Sequence, residues 1–371
     1  MSSLYIHIPF CRHKCIYCAF YSVAGKRDTD LYVDSIVREM HARKDFADKN
    51  LYTVYFGGGT PSLLEIKHVQ LIMQQIHSVY NTCGLQEVTF EINAEDAEFE
   101  YLKALKQTGI NRLSIGTESF DNENLKSLNR THGALQGIRA AENAKAAGFD
   151  NISIDLMYSL PFSSFEKWQK DLQTFLSLDV PHVSCYTLMV DEGTMLEKLV
   201  QKGKYKPLSE EESLRQADYT TDVLQSHGYI HYETSSYCKP GFHSKHNTVY
   251  WTEGQYTGLG AGAHSFDGTV RYWNKNDIDL YCRAMQTNGS QPCFEYERLS
   301  GEQMYNEYVM LHSRMAHGLD ADYVKKRFPL YYPHFALQLK KLISCGLLNN
   351  DCSLTKQGWH LQDRIILELA V

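Results

Sequence analysis

Six short β-rich runs recur through the first half of the chain, each followed by room for one helix. They are LYIHI (4–8), TVYFGG (53–58), EVTFEI (87–92), RLSIGT (112–117), NISIDLMY (151–158) and HVSCYTLMV (182–190). Helical patterns fill the gaps: Val33, Ile36, Val37 and Met40 follow an i, i+3, i+4, i+7 spacing, and so do Val69, Ile72, Met73 and Ile76. The helix carrying Trp168, Leu172 and Phe175 opens with Ser163-x-x-Glu166, the pattern of a capping box. Alternation of this kind constrains the chain to an α/β fold, a parallel sheet with helices outside it. Six such strands fit an open or incomplete (β/α)6 barrel. In parallel α/β folds, sites gather at the carboxyl ends of the strands, so polar residues there are the first candidates.

After about residue 200 the rhythm breaks. The sequence divides into a partial barrel (1–200), a connecting segment rich in Tyr and Gly (201–300) and a mostly helical C-terminal region (301–371). The last closes with GLLNNDCSLTKQGW, which reads as a β-wing after a helix and predicts a smaller α+β region with a winged-helix-like module. A DNA-binding role does not follow: residues 301–371 hold eight Lys/Arg against seven Asp/Glu, and the whole chain has a net charge of −7. No nucleic-acid partner is expected. No run approaches 18 consecutive apolar residues and the N-terminus lacks a basic-then-apolar leader, so a cytoplasmic protein is expected.

Ten cysteines in such a chain do not suggest a disulfide framework. Seven are scattered (Cys83, Cys185, Cys238, Cys282, Cys293, Cys345 and Cys352) and read as small buried hydrophobes. The other three, Cys11, Cys15 and Cys18, are crowded into IPFCRHKCIYCAF with the spacing C-x3-C-x2-C. Structural zinc takes four ligands, and His13 inside the motif would have to crowd the same loop. Iron–sulfur ligation uses closely spaced thiolates. A 4Fe–4S cube held by three of them keeps one iron open for a small chelating molecule.

C-x3-C-x2-C with Tyr17 before the last cysteine resembles the signature of radical S-adenosylmethionine (SAM) proteins. The resemblance implies a 4Fe–4S cluster on Cys11, Cys15 and Cys18, whose open iron chelates the methionine end of SAM, and a one-electron donor such as flavodoxin or ferredoxin. YFGGGTP (55–61) is by itself either a structural turn or a place where backbone approaches a ligand. Beside the cysteines it resembles the family's glycine motif, which makes Gly58, Gly59 and Thr60 candidates for SAM. Glu91, Glu118, Asp155 and Arg130 could be satisfied polar residues of a barrel rim. The resemblance places them, with Tyr5 and Tyr17, around SAM as in the coproporphyrinogen-oxidase branch. Glu118 is a departure, since that branch implies Gln there.

A third motif, HNTVYW (246–251), followed by YTGLGAGAHSF, chooses among branches. Read alone, His246 could ligate heme iron, and Asn247, Tyr250 and Trp251 could pack a flat ligand or a protein core. In context the motif resembles H-N-x-x-Y-W of the HemW-type heme chaperones, with SLNRTHG, IDLMYSLP and GLGAGAHS in matching order. Oxygen-independent coproporphyrinogen III oxidases carry a fourth cysteine where this chain has Phe20. The resemblance therefore implies a protein that binds heme at His246, Asn247, Tyr250 and Trp251. It would pass heme to membrane respiratory cytochromes or similar acceptors, through transient contact at the inner membrane face, with homodimerisation among the expectations. The alternative is a radical enzyme acting on a tetrapyrrole, by oxidative decarboxylation or anaerobic heme degradation. No catalytic residue is assigned on either reading.

Overall fold

The structure, a computed structural model, describes residues 2–25, 27–287 and 294–371. The six expected runs form parallel strands: β1 (Ser2–Ile8), β2 (Leu51–Gly58), β3 (Glu87–Asn93), β4 (Arg112–Glu118), β5 (Asn151–Tyr158) and β6 (His182–Thr187). They belong to one sheet of twelve strands. Beyond β6 lie the antiparallel β7 (Ile230–Glu233) and β8 (Ser236–Cys238). Beyond β1 lie β9 (Tyr256–Leu259), β10 (His264–Phe266), β11 (Val270–Asn274) and β12 (Phe294–Arg298). The order is β12-β11-β10-β9-β1-β2-β3-β4-β5-β6-β8-β7, an open mixed sheet rather than a closed barrel. Residues 201–300 thus extend both edges of the sheet begun by residues 1–200.

Strand alternation decides what fills the curve of this sheet. Leu4, Ile6, Val54, Phe56, Phe90, Ile115 and Ile154 point to the helix side and are fully buried in the main apolar core. Helix α1 (Thr29–Ala42) buries Val33, Ile36 and Met40 of its expected face, with Val37 only half-buried and Tyr32 buried in addition, and α2 (Ile66–Val79) buries Val69, Ile72, Met73 and Ile76 as expected. The opposite face carries Ser3, Tyr5, Thr53, Tyr55, Glu87, Glu91, Arg112, Ser114 and Asp155. A packed barrel interior would hold branched apolar residues. This one is polar and aromatic, and its side chains hydrogen-bond one another.

Several expectations need correction. The cap of the helix Phe165–Ser177 is Ser164, whose hydroxyl accepts from Lys167 N; Ser163 lies one residue outside and accepts from Asn124 Nδ2 instead. Among the scattered cysteines, Cys185, Cys238, Cys282 and Cys352 are buried, Cys83 and Cys345 are exposed, and Cys293 lies outside the described residues. The C-terminal region has its own apolar core around Tyr305, Tyr308, Phe335 and Ile365. Its expected wing is reduced to one antiparallel bridge, Leu348↔Leu354. Asp351 accepts from both the backbone and the hydroxyl of Ser353, so a local side-chain turn takes the place of a strand ladder. Among the described residues, no helix is long and apolar enough to cross a membrane.

Candidate functional site

Cys11, Cys15 and Cys18 follow β1 at the carboxyl end of the strands and are free, partly exposed thiols. Their loop is fixed on two sides: Ile16 N donates to Leu128 O, and Leu196 N donates to Ile16 O at 2.8 Å. Cationic and hydroxyl donors turn toward the sulfurs. Arg130 Nη1 lies 3.4 Å from Cys15 Sγ, and Thr60 Oγ1 lies 3.5 Å from Cys11 Sγ. Burial pushes the Cys18 thiol above its ordinary value. His13 is exposed on the loop. Among the described residues, no three His, Cys, Asp or Glu side chains close on a single metal ion.

The glycine motif ends β2 beside the first cysteine. Gly59 N donates to Ile8 O at 2.8 Å. A Cβ on Gly59 would stand 2.7 Å from Phe10 O and 3.0 Å from Cys11 Sγ, so only glycine lets the backbone pass there. Gly58 has φ +115°, and its N–H donates to Glu91 Oε2 at 3.1 Å. Tyr55 hydroxyl donates to Glu91 Oε1 at 2.8 Å. Burial pushes the Glu91 carboxyl up to about 7, with the neighbouring Asp155 adding to it.

Around the same space stand the remaining predicted residues. Asp155 accepts from Ser114 Oγ at 3.1 Å and is pushed up to about 6, by burial first and by Glu118 second. The strand register shifts between Gly116 and Glu118, and Glu118 sits at φ +63°. This irregularity turns its carboxylate toward Arg130, 3.7 Å away, and toward the Tyr17 hydroxyl. Glu118 therefore joins the cysteine loop to the Arg130 anchor, a role in which its charge is matched. Tyr5 lines the same interior, its hydroxyl 3.1 Å from His7 Nδ1 and its ring stacked on Tyr55. Asn93 was not anticipated. Its side chain bridges Thr60 Oγ1 (3.5 Å) and Arg130 Nη2 (3.3 Å). The alternation in EVTFEIN, which puts Asn93 on the face of Glu91, was the available signal.

The third motif lies elsewhere. Helix Lys245–Trp251 covers the amino-terminal end of the strands, where Lys245 N and His246 N donate to the Glu87 carboxylate at 3.0 Å each. His246 is fully buried, and burial, then repulsion from Arg112, lowers its pKa to about 3. Thr53 Oγ1 donates to Ser3 Oγ, so it accepts from His246 Nδ1 at 2.7 Å; His246 Nε2 then accepts from Tyr250 hydroxyl at 2.9 Å. Both ring nitrogens are engaged, and neither is free for heme iron in this arrangement. Asn247 and Trp251 are partly exposed on the same helix. The motif forms the floor under Tyr5 and Tyr55, whose rings lie 6.5 and 4.9 Å from that of His246.

One consequence can be measured directly. Glu91 holds its proton more tightly in the folded chain (about 7) than the ordinary carboxyl does (4.5). Its stabilising contribution is therefore fully present below pH 4.5 and is lost as pH rises through 7. Glu91→Gln cancels that loss. In urea titrations of the cluster-free chain, the variant should gain stability relative to the parent between pH 4.5 and 8, by at most ~3 kcal/mol. A pH-independent difference would show that Glu91 is not the buried titrating group.

Residues 5–175 match the Radical SAM superfamily. The chain is 34% identical over 365 residues to the heme chaperone HemW of Lactococcus lactis, covering 98% of this chain and 94% of that protein. It is 34% identical to the heme chaperone HemW of Bacillus subtilis, covering 96% of each. Its fold also matches the coproporphyrinogen III oxidase HemN from Escherichia coli, a radical SAM enzyme, with a TM-score of 0.84 over 100% of this chain and 90% of that one. At 21% identity that likeness is one of fold alone.

Proposed function

The chain belongs to the HemW family of radical SAM proteins, and from that membership we propose that it binds heme and passes it to heme-requiring acceptors. The observation that carries this reading is full-length similarity to relatives named heme chaperones. The missing fourth cysteine, with Phe20 in its place, agrees with it. The acceptors we propose are membrane respiratory cytochromes, reached by transient contact with the membrane face.

Cys11, Cys15 and Cys18 would hold a 4Fe–4S cluster, and Gly58, Gly59, Thr60, Glu91, Glu118, Asp155, Arg130, Tyr5 and Tyr17 would surround SAM. The cluster supplies one-electron chemistry when bound, with flavodoxin or ferredoxin as the class of donor. The chain's own part is positional. Arg130 and Thr60 turn donors to the sulfurs, and Gly59 keeps the backbone out of the space beside Cys11. Glu91 and Asp155 offer carboxylates to a cation or to hydroxyls.

The test is anaerobic titration of the full chain with hemin, followed by mixing with an apo-cytochrome. Saturable uptake and transfer are the expected result. Conversion of coproporphyrinogen III to protoporphyrinogen IX by the reduced, SAM-supplied protein, without heme uptake, would replace the chaperone by the oxidase reading.

A further inference from the structure

The floor motif offers heme no free nitrogen, whereas the opposite end of the sheet carries an apolar rim that nothing in the fold covers. Phe162 is 68% exposed, Met189 65% and Met195 54%; Tyr186 and Val190 are also exposed. These residues come from two loops and a helix start at the carboxyl ends of β5 and β6. The loops are tied together: Leu188 N donates to Tyr158 O at 3.0 Å, and Leu160 and Leu188 pack with Leu128, Met157 and Tyr17 in one small cluster. Leu196, next to Met195, donates to Ile16 of the cysteine loop. Tyr186 stands near the end of β6, in register with Met157 of the same cluster. The rim therefore adjoins the cysteine loop.

Two further observations set it apart from incidental exposure. Phe162 and Ser159 have φ values of +67° and +58°, a region that costs a bulky residue free energy. Ser159 is pinned there by Gln216, whose Oε1 accepts from its N–H at 2.9 Å. The strained loop projects a phenyl ring into solvent, with only an edge contact to Tyr205 at 5.0 Å. Tyr205 stands between Lys204 and Lys206. These two and Lys198 and Lys202 are exposed and form no ion pair among the described residues. An aromatic and thioether surface edged on one side by unpaired ammonium groups matches a flat apolar macrocycle with carboxylates on one edge.

Resting on the heme reading above, we propose that heme docks on this rim, its macrocycle against Phe162, Tyr186, Met189 and Met195 and its propionates toward the lysines, rather than at His246. Binding is then carried by the macrocycle and its carboxylates, not by an iron–imidazole bond.

The test is fluorescence titration of the full chain with hemin and with metal-free protoporphyrin IX. Both should bind with affinities within roughly tenfold of each other. Phe162→Ser with Met189→Ser, and separately Lys204→Glu with Lys206→Glu, should each weaken both ligands by roughly tenfold or more. All four positions are exposed or half-exposed, so folding, checked by circular dichroism, should be unchanged. His246→Ala should leave porphyrin affinity within about twofold of the parent. The proposal is overturned if the rim variants bind as the parent does, or if His246→Ala abolishes binding. It is also overturned if the rim variants keep porphyrin but lose retention on phosphatidylglycerol vesicles, which would make the rim a membrane contact. A parent chain that binds neither porphyrin removes the heme reading itself.

Discussion

Cys15→Ala is expected to give a folded chain that can no longer be loaded with an iron–sulfur cluster. Cys15 lies on a partly exposed loop whose tethers are backbone bonds of Ile16, so the fold does not depend on its sulfur. The cluster would depend on it entirely, because three thiolates leave no spare ligand. After anaerobic reconstitution the variant should lack the broad visible absorbance of the parent. Cys345→Ala is the matched control, since Cys345 is exposed at a helix end remote in sequence from the loop. Full cluster content in Cys15→Ala would end the assignment of the ligand set.

The largest loss of stability is expected at the floor. Arg112 is among the largest fully buried side chains, and Glu87 beneath it is 1% exposed. Burial opposes the guanidinium charge, and Glu87 is the strongest of the groups that hold it. Glu87 in turn accepts the first N–H groups of the helix bearing His246, so one buried cation supports both strand interior and floor. Arg112→Leu removes the buried cation that faces Glu87 and leaves that carboxylate with its helix N–H donors alone, a change expected to cost about 3 kcal/mol. A urea unfolding series should show the midpoint falling accordingly, with Arg112→Lys recovering part of it. An unchanged midpoint would show that Arg112 does not support the floor.

How much of this was legible differs by element. The six strands and the faces of α1 and α2 follow from local periodicity, since Val33, Ile36 and Met40 meet the sheet whatever else the chain does. The cysteine loop was legible because its spacing is chemistry, not packing. The place of HNTVYW was not. No local pattern says which end of a sheet a seven-residue helix will cover, and here the decision rests on Glu87 and Thr53, some 160 and 190 residues earlier. The same motif reads as a ligand set from its residue types, while in the fold His246 hydrogen-bonds Thr53 and Tyr250. The junction of β9 with β1 was hidden for a similar reason: Ser3 pairs with Tyr256, a contact that only the closed chain reveals. The role of Glu118 was obscured by a register shift at Gly116, which re-aims a carboxylate that straight alternation would leave elsewhere.

The account stands on three thiolates presenting one unclaimed iron. Electron paramagnetic resonance of the anaerobically reconstituted, reduced chain, with and without SAM, examines that most directly. The predicted result is about four iron and four sulfide per chain, with a cubane signal whose g-values move when SAM is added. A signal indifferent to SAM, or a preparation that holds zinc and no iron, would contradict it.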